Sequence, residues 1–208
     1  MAEADAPIAI ASTPEALPGF TRDALVSADG VRRYADRLNA LAKAAAAHDL
    51  RVGYNHYGEW TPLDDGRYGY DVLWDALDPS AVAEVDLYWA QTAGQVPADV
   101  VARLGERVEL VHVKDGPGVR GEPQVAAGQG SVALADALYV GRDAIRVHII
   151  EADRIAEGAD IFDLVEESVA WLKARQGGRC GSASRPGACS PGRGVRGGAS
   201  GRPGRAPP

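Results

Sequence analysis

The stretch Val108-Glu109-Leu110-Val111-His112-Val113-Lys114-Asp115 decides how the rest of this chain is read. It is a β-branched run closed by a histidine, a lysine and an aspartate. An apolar run bounded by charge at one end suits a buried parallel strand whose C-terminal tip opens into a site. The side-chain period of two sets Leu110, His112 and Lys114 on one face and Val111 and Val113 on the other. A histidine at a strand end is ordinarily a satisfied rim residue, so its weight depends on whether neighbouring segments repeat the arrangement.

They do. Upstream, residues 81–87 (AVAEVDL) read as a strand with Glu84 and Asp86 on one face and Trp89 three residues past Asp86. Two acids on one face of an apolar strand need a reason. Between the two strands, Pro97 opens a short helix that closes at Gly105. Downstream come a glycine-rich loop over residues 116–130, a helix over 133–140, a strand over 145–151 (IRVHIIE), and a last helix capped by Asp160 that carries Ile161, Leu164, Val165, Val169 and Leu172. His148 shares its face with Ile150, opposite Glu151, and is expected to pack under a helix.

Further upstream, residues 7–11 (PIAIA) are a weak strand. Ser27 caps a helix whose Val31, Tyr34, Ala35 and Leu38 recur at helical spacing and which ends at His48, where an imidazole favours the helix dipole. Residues 50–56 (LRVGYNH) are a strand running into a polar loop. Residues 70–77 form an amphipathic helix with Leu73, Trp74 and Leu77 turned inward. Strand and helix thus alternate through five units, the pattern of βαβ crossovers on a parallel sheet. No GxGxxG or GxxxxGK[ST] follows a strand, so a dinucleotide or P-loop site has no support.

Composition narrows the function. The chain has 208 residues, 46% hydrophobic and 25% charged, as in one globular domain with a sizeable core. Net charge is −7, but the last 32 residues hold six arginines and no acid, which leaves −13 on residues 1–176. So acidic a body excludes nucleic acid as a natural partner. Both cysteines, Cys180 and Cys189, fall in the tail, which removes thiol catalysis and thiolate metal sites from the body. No apolar run approaches the ~18 residues of a membrane span. The acidic start lacks the features of a secretion signal, so a cytoplasmic location and no membrane partner are expected.

Glu59 follows one strand, and Asp86, His112 and Glu151 stand at the ends of the next three, at separations of 27, 26 and 39 residues. Each step is one βα unit. On a barrel the four would converge over the top face, where barrel enzymes place their chemistry. Three carboxylates and one imidazole make a hard, oxygen-rich site that favours Mn²⁺ or Mg²⁺, with Co²⁺ as a further choice, over a structural zinc.

The segments GYNHYGEW, EVDLYWAQTAG, RVELVHVKDG, AAGQGSV and IIEAD resemble, in this order, the sugar phosphate isomerase/epimerase family with the xylose isomerase-like barrel. The match runs from about Leu38 to Leu172. It implies a partial α/β TIM barrel over residues 1–176 with about five βα units, the family's first three being absent. It also implies one divalent metal, Mn²⁺ first among the choices, held by Glu59, Asp86, His112 and Glu151. His56, Trp89 and Lys114 would face a small sugar or sugar phosphate. The implied chemistry is proton transfer next to a carbonyl through a stabilised enediolate, with Glu59 and Glu151 as the acid and base pair.

Three features depart from the family. The pattern GYHNH is one histidine short here, Gly53-Tyr54-Asn55-His56, which threatens to turn Tyr54 or Val52 to the wrong face. Five strands leave open edges and an uncovered inner face, so the fold is expected to be unstable unless a homodimer covers them or the assignment of units is wrong. Residues 177–208, with ten Gly and five Pro, form an expected disordered tail whose composition matches a shifted reading frame after Gln176. Against the isomerase stand a non-catalytic remnant or interaction protein with the same motifs, an inosose dehydratase-like lyase, and the zinc-rich nuclease branch, for which this body has too few histidines.

Overall fold

The structure, a computed structural model, describes residues 7–55, 60 and 62–177. Five strands pair in parallel: β1 (Ile8–Ala11), β2 (Arg51–Asn55), β3 (Val82–Asp86), β4 (Val108–Val113) and β5 (Val147–Ile150). Their order across the sheet is their order in the chain. A doubly wound sheet reverses direction at a switch point, and this one never does. Right-handed crossovers then bring every connecting helix to the same face, which is the winding of a (β/α) barrel. The fold is a partial TIM barrel of five units, as the sequence implied.

The helices form where their caps and apolar stripes dictate. Ser27 Oγ accepts the Gly30 N–H at 3.1 Å and opens α1 (Ala28–Ala45), whose Val31, Tyr34, Ala35 and Leu38 are buried. His48 lies in the single 3₁₀ turn that follows. α2 (Gly69–Ala76) buries Tyr70, Leu73 and Trp74. α3 (Leu87–Thr92) starts directly off β3, capped by the Asp86 carboxylate on the Trp89 N–H at 2.9 Å. The apolar run through Leu87 hid this helix at the sequence level. α4 (Pro97–Leu104), α5 (Leu134–Val140) and α6 (Ile161–Gly177) complete the layer, and Asp160 caps α6 on the Phe162 N–H at 2.8 Å.

The core lies between this helical layer and one face of the sheet. Tyr54 meets Tyr34 of α1 edge to face at 5.8 Å, and Val52, Val85, Val111 and Val113 share the same buried face. Val52 and Tyr54 therefore both point to the helices, and the shortened histidine motif reverses neither. His148 is on this face too by register, half-buried, and lines a cavity of about 690 Å³ with Leu138 and Tyr139 of α5.

The opposite, inner face carries Gly53, Asn55, Glu84, Asp86, Leu110, His112 and Ile149 by register. A Cβ on Gly53 would stand 2.5 Å from the Val82 carbonyl oxygen and 2.6 Å from Ile10 Cδ1, so only glycine lets the inner face close up there. Elsewhere this face is open. Leu110 and Ile149 are half-buried and Val147 is 45% exposed, while β1 and β5 stand at the sheet's two edges. Among the described residues no helix is long and apolar enough to cross a membrane.

β4 carries a one-residue bulge. Ala83 pairs with Val108, but the next residue of β3, Glu84, pairs with Leu110, so Glu109 is the extra residue. Its carboxylate takes a two-toothed grip from Arg51 of β2 at 2.5 and 2.9 Å, with Arg146 Nε at 3.4 Å. The Arg51 hydrogen bonds outweigh partial burial and hold the Glu109 carboxyl below its usual range. A depressed carboxyl stabilises the fold above its unfolded value and loses that contribution as pH falls through the folded one. Arg51 is half exposed, so the pair contributes about 1 kcal/mol. Glu109→Gln is thus expected to lower the melting temperature by a few degrees at pH 7, with the gap closing below about pH 4 in melts run across that range.

Candidate functional site

β3, β4 and β5 end side by side, and the register sets their last inner-face residues level. Asp86 pairs with His112 in the ladder, and His112 pairs with Ile149, two residues before Glu151. Asp86, His112 and Glu151 each offer one ligand atom, and these atoms lie within 4.8 Å of one another. These are three of the four residues that the spacing singled out. The fourth, Glu59, and the substrate candidate His56 lie outside the described residues.

The second acid on β3 now has its reason. Glu84 Oε1 lies 2.8 Å from His112 Nε2, and a carboxylate there requires Nε2 to carry the proton and donate. Nδ1 faces Glu151 Oε2 in close contact and Asp86 Oδ2 at 3.5 Å, a setting that suits a proton on Nδ1 in the metal-free cluster and, once that proton leaves, aims the lone pair of the neutral ring between the two carboxylates. Nδ1 and Glu151 Oε2 are both buried without an aligned hydrogen bond. A carboxylate behind a histidine, fixing its tautomer and turning its free nitrogen inward, is the usual setting of an imidazole ligand. Burial works against the imidazolium, but Glu84, Asp86 and Glu151 outweigh it and raise the His112 pKa above its ordinary value.

Lys114, which the family resemblance assigns to substrate, lies inside the acid cluster. Its side chain is 2% exposed, and Nζ is 2.9 Å from Asp86 Oδ2, from Glu151 Oε2 and from Asp153 Oδ2. Of these contacts, the one to Asp153 is an aligned hydrogen bond. Burial disfavours the charge, yet Asp86 first, then Asp153 and Glu151, raise the Lys114 pKa and keep it an ammonium. Asp153 is itself fixed from behind, accepting from Trp89 Nε1 and Gln124 Nε2 at 3.2 Å each, while its N–H donates to Gln124 Oε1 at 2.6 Å. Trp89, which the resemblance also assigns to substrate, is 8% exposed, carries Arg120 over its ring at 4.9 Å and points its Nε1 at Asp153.

Asp115, the last residue of the opening stretch, is architectural. It is 1% exposed, and its carboxylate accepts backbone N–H groups from Gly116 and Gly128 at 2.8 Å and from Val132 at 3.0 Å. The glycine-rich loop is thereby wrapped around one buried carboxylate. Gly128 lies at φ +86° under Trp171, whose Nε1 would be 1.9 Å from any Cβ there. The loop then delivers Gln124 to Asp153. No periodicity links Asp115, Gln124 and Asp153 to their partners, because Asp115 and Gln124 lie in an irregular loop and the contacts bridge 13 to 29 residues of chain.

The cluster opens into a cleft of about 370 Å³ that also takes in Ser12, Thr13, Asn55 and, at its rim, Arg22. Arg22 holds Glu15 at 3.1 Å.

No family model matches this sequence, and no curated protein matches it. Solved structures do. A sugar phosphate isomerase/epimerase from Parabacteroides distasonis superposes with a TM-score of 0.65 at 21% identity, over 79% of this chain and 57% of that one. A xylose isomerase domain protein from Alicyclobacillus acidocaldarius gives 0.51 at 22% identity, over 70% and 57%. A probable 3-DHS dehydratase from Bacillus anthracis gives 0.54 at 15% identity, over 71% and 60%. At these identities the likeness is one of fold: the chain has a partial TIM-barrel fold like theirs and spans 57% of the length of the first of these structures. Asp115→Ala, which strands three backbone donors, is expected to cost roughly 3 kcal/mol in urea unfolding and to expose the loop at residues 116–130 to limited proteolysis.

Proposed function

We propose that the site isomerises or epimerises a small sugar or sugar phosphate by abstracting a proton beside a carbonyl, with a divalent metal as its cofactor. The observation that carries this reading is the setting of His112. Glu84 fixes Nε2, Nδ1 faces Asp86 and Glu151, and Nδ1 and Glu151 Oε2 are buried without an aligned hydrogen bond. Two carboxylates and a neutral imidazole suit Mn²⁺, with Mg²⁺ or Co²⁺ as alternatives, and Glu59 is the proposed fourth ligand. When bound, the ion would draw charge from two neighbouring substrate oxygens and acidify the C–H between them.

The chain's own groups supply the rest. Asp86 is 2% exposed and His112 12%, whereas the Glu151 side chain is 41% exposed at the cleft. Of the three, Glu151 alone can meet a substrate C–H, so it is the proposed base, and Glu59 the proposed acid. A base of this kind must keep one oxygen away from the metal. The Lys114 ammonium is placed to steady negative charge that develops on a substrate oxygen. Ser12, Thr13 and Asn55 offer hydroxyl and amide groups to a polyol, and Arg22 at the rim suits a phosphate. His56 is a further proposed substrate contact.

The reading concerns the site that these five units build. The probable dehydratase among the similar structures marks a lyase as the neighbouring chemistry, because loss of water can begin with the same proton abstraction. ¹H NMR in D₂O with Mg²⁺ and a panel of ketoses and their phosphates tests it. A substrate C–H beside the carbonyl should exchange for deuterium, and Glu151→Gln should slow the exchange by at least about 10²-fold. Exchange with an alkene product would transfer the assignment to a lyase. No exchange across the panel, from protein that binds Mg²⁺, would favour a non-catalytic role.

A further inference from the structure

We propose that Lys114 is the resident cation of the acid cluster, and that a divalent ion enters by displacing its ammonium from Asp86 and Glu151 onto Asp153 alone. The inference rests on Asp86, His112 and Glu151 being a cation site and concerns what holds that site together before the ion arrives.

Nζ is equidistant, at 2.9 Å, from Asp86 Oδ2, Glu151 Oε2 and Asp153 Oδ2. The first two carboxylates belong to the trio whose ligand atoms lie within 4.8 Å of one another. An ion coordinated by the same oxygens at ~2.1 Å would stand within about 4 Å of Nζ, where like charges repel strongly in a buried setting. Ammonium and metal therefore compete for the same oxygens. The loser of that competition has a place to go. Asp153 already takes an aligned hydrogen bond from Nζ, and Trp89 Nε1, Gln124 Nε2 and the Gln124 side-chain carbonyl hold Asp153 without help from Lys114.

Two consequences follow. The metal-free cluster keeps its shape, because Glu84, Asp86, Glu151 and Asp153 surround the Lys114 ammonium and the His112 ring, both of whose nitrogens face carboxylate oxygens. Loading the metal also frees Lys114 from two carboxylates while leaving it at the cleft, so the group proposed to steady substrate charge becomes available only once the ion is in place. Binding would thus be ordered, metal before substrate.

The full chain contains three lysines, Lys43, Lys114 and Lys173, so side-chain ¹⁵N spectra of lysine-labelled protein report on Lys114 individually. Mg²⁺ titration is expected to shift the Lys114 Nζ resonance and leave those of Lys43 and Lys173 in place. Calorimetric titration with Mn²⁺ alone is expected to show Lys114→Met binding at least ten-fold more tightly than wild type. Asp153→Asn, which removes the place of retreat, should bind several-fold more weakly. If Lys114→Met fails to fold, the wild-type spectra and Asp153→Asn decide. Metal binding with an unmoved Lys114 resonance, or with equal affinity in wild type and variants, would overturn the displacement while leaving the metal site intact. Absence of Mn²⁺ and Mg²⁺ binding to every form would overturn the metal site, and the displacement with it.

Discussion

One extra residue in β4 governs the face on which this protein's chemistry appears. Ala83 pairs with Val108, and were the ladder to continue without a bulge, Asp86 would stand beside Val111 and His112 would point into the helical layer. The insertion at Glu109 turns the second half of β4 over, so that His112 meets Asp86 and Glu84 while Val111 and Val113 enter the core. Arg51 and Arg146 clasp the inserted residue from β2 and from the start of the β5 segment. An ion pair at the foot of the strands thereby holds the inserted residue whose extra length sets which side chains stand at their tips.

The site that results is a dense set of charges in a protein interior. Four acids, one imidazole and one ammonium lie around a single opening, and buried charges persist only when they are paired and hydrogen-bonded. The pairing here is layered. Glu84 serves His112, Gln124 and Trp89 serve Asp153, and the Trp89 backbone serves Asp86. Asp115 organises the loop that brings Gln124 into this set. Many of the polar residues nearby therefore orient other residues.

Much of this was legible in the sequence, for identifiable reasons. Strands and helices followed from periodicity and caps: Ser27, Pro97, Gly105 and Asp160 all mark ends in the fold. Asp86, His112 and Glu151 could be singled out because strand ends in a parallel sheet point to one side, so spacing along the chain becomes proximity in space. The resemblance added Lys114 but placed it against substrate, and its position among the carboxylates depends on side-chain reach, which no pattern encodes. Glu84 was noticed as an anomaly, and its partner became visible only with the register. The period-two reading of β4 held from Leu110 onward and broke at Glu109, since a bulge leaves no local signal beyond an acid in an apolar run. The grouping of Gln124, Asp115 and Asp153 comes from irregular loops, where sequence distance says nothing about contact.

The strand order also sets a sequence of events in time. Each strand pairs with the one made just before it, so as the chain leaves the ribosome every new unit finds its neighbour already in place, and no segment waits for a distant partner. The charged cluster does not share this ease. Asp86 emerges first, His112 and Lys114 some 26 to 28 residues later, and Glu151 and Asp153 last, once β5 has been laid down. Until then Asp86 has one cation for company and His112 has Glu84, both near an unfinished edge open to water. The charged cluster is thus assembled only when the β5 segment joins the sheet, and it stays open to the cleft on one side.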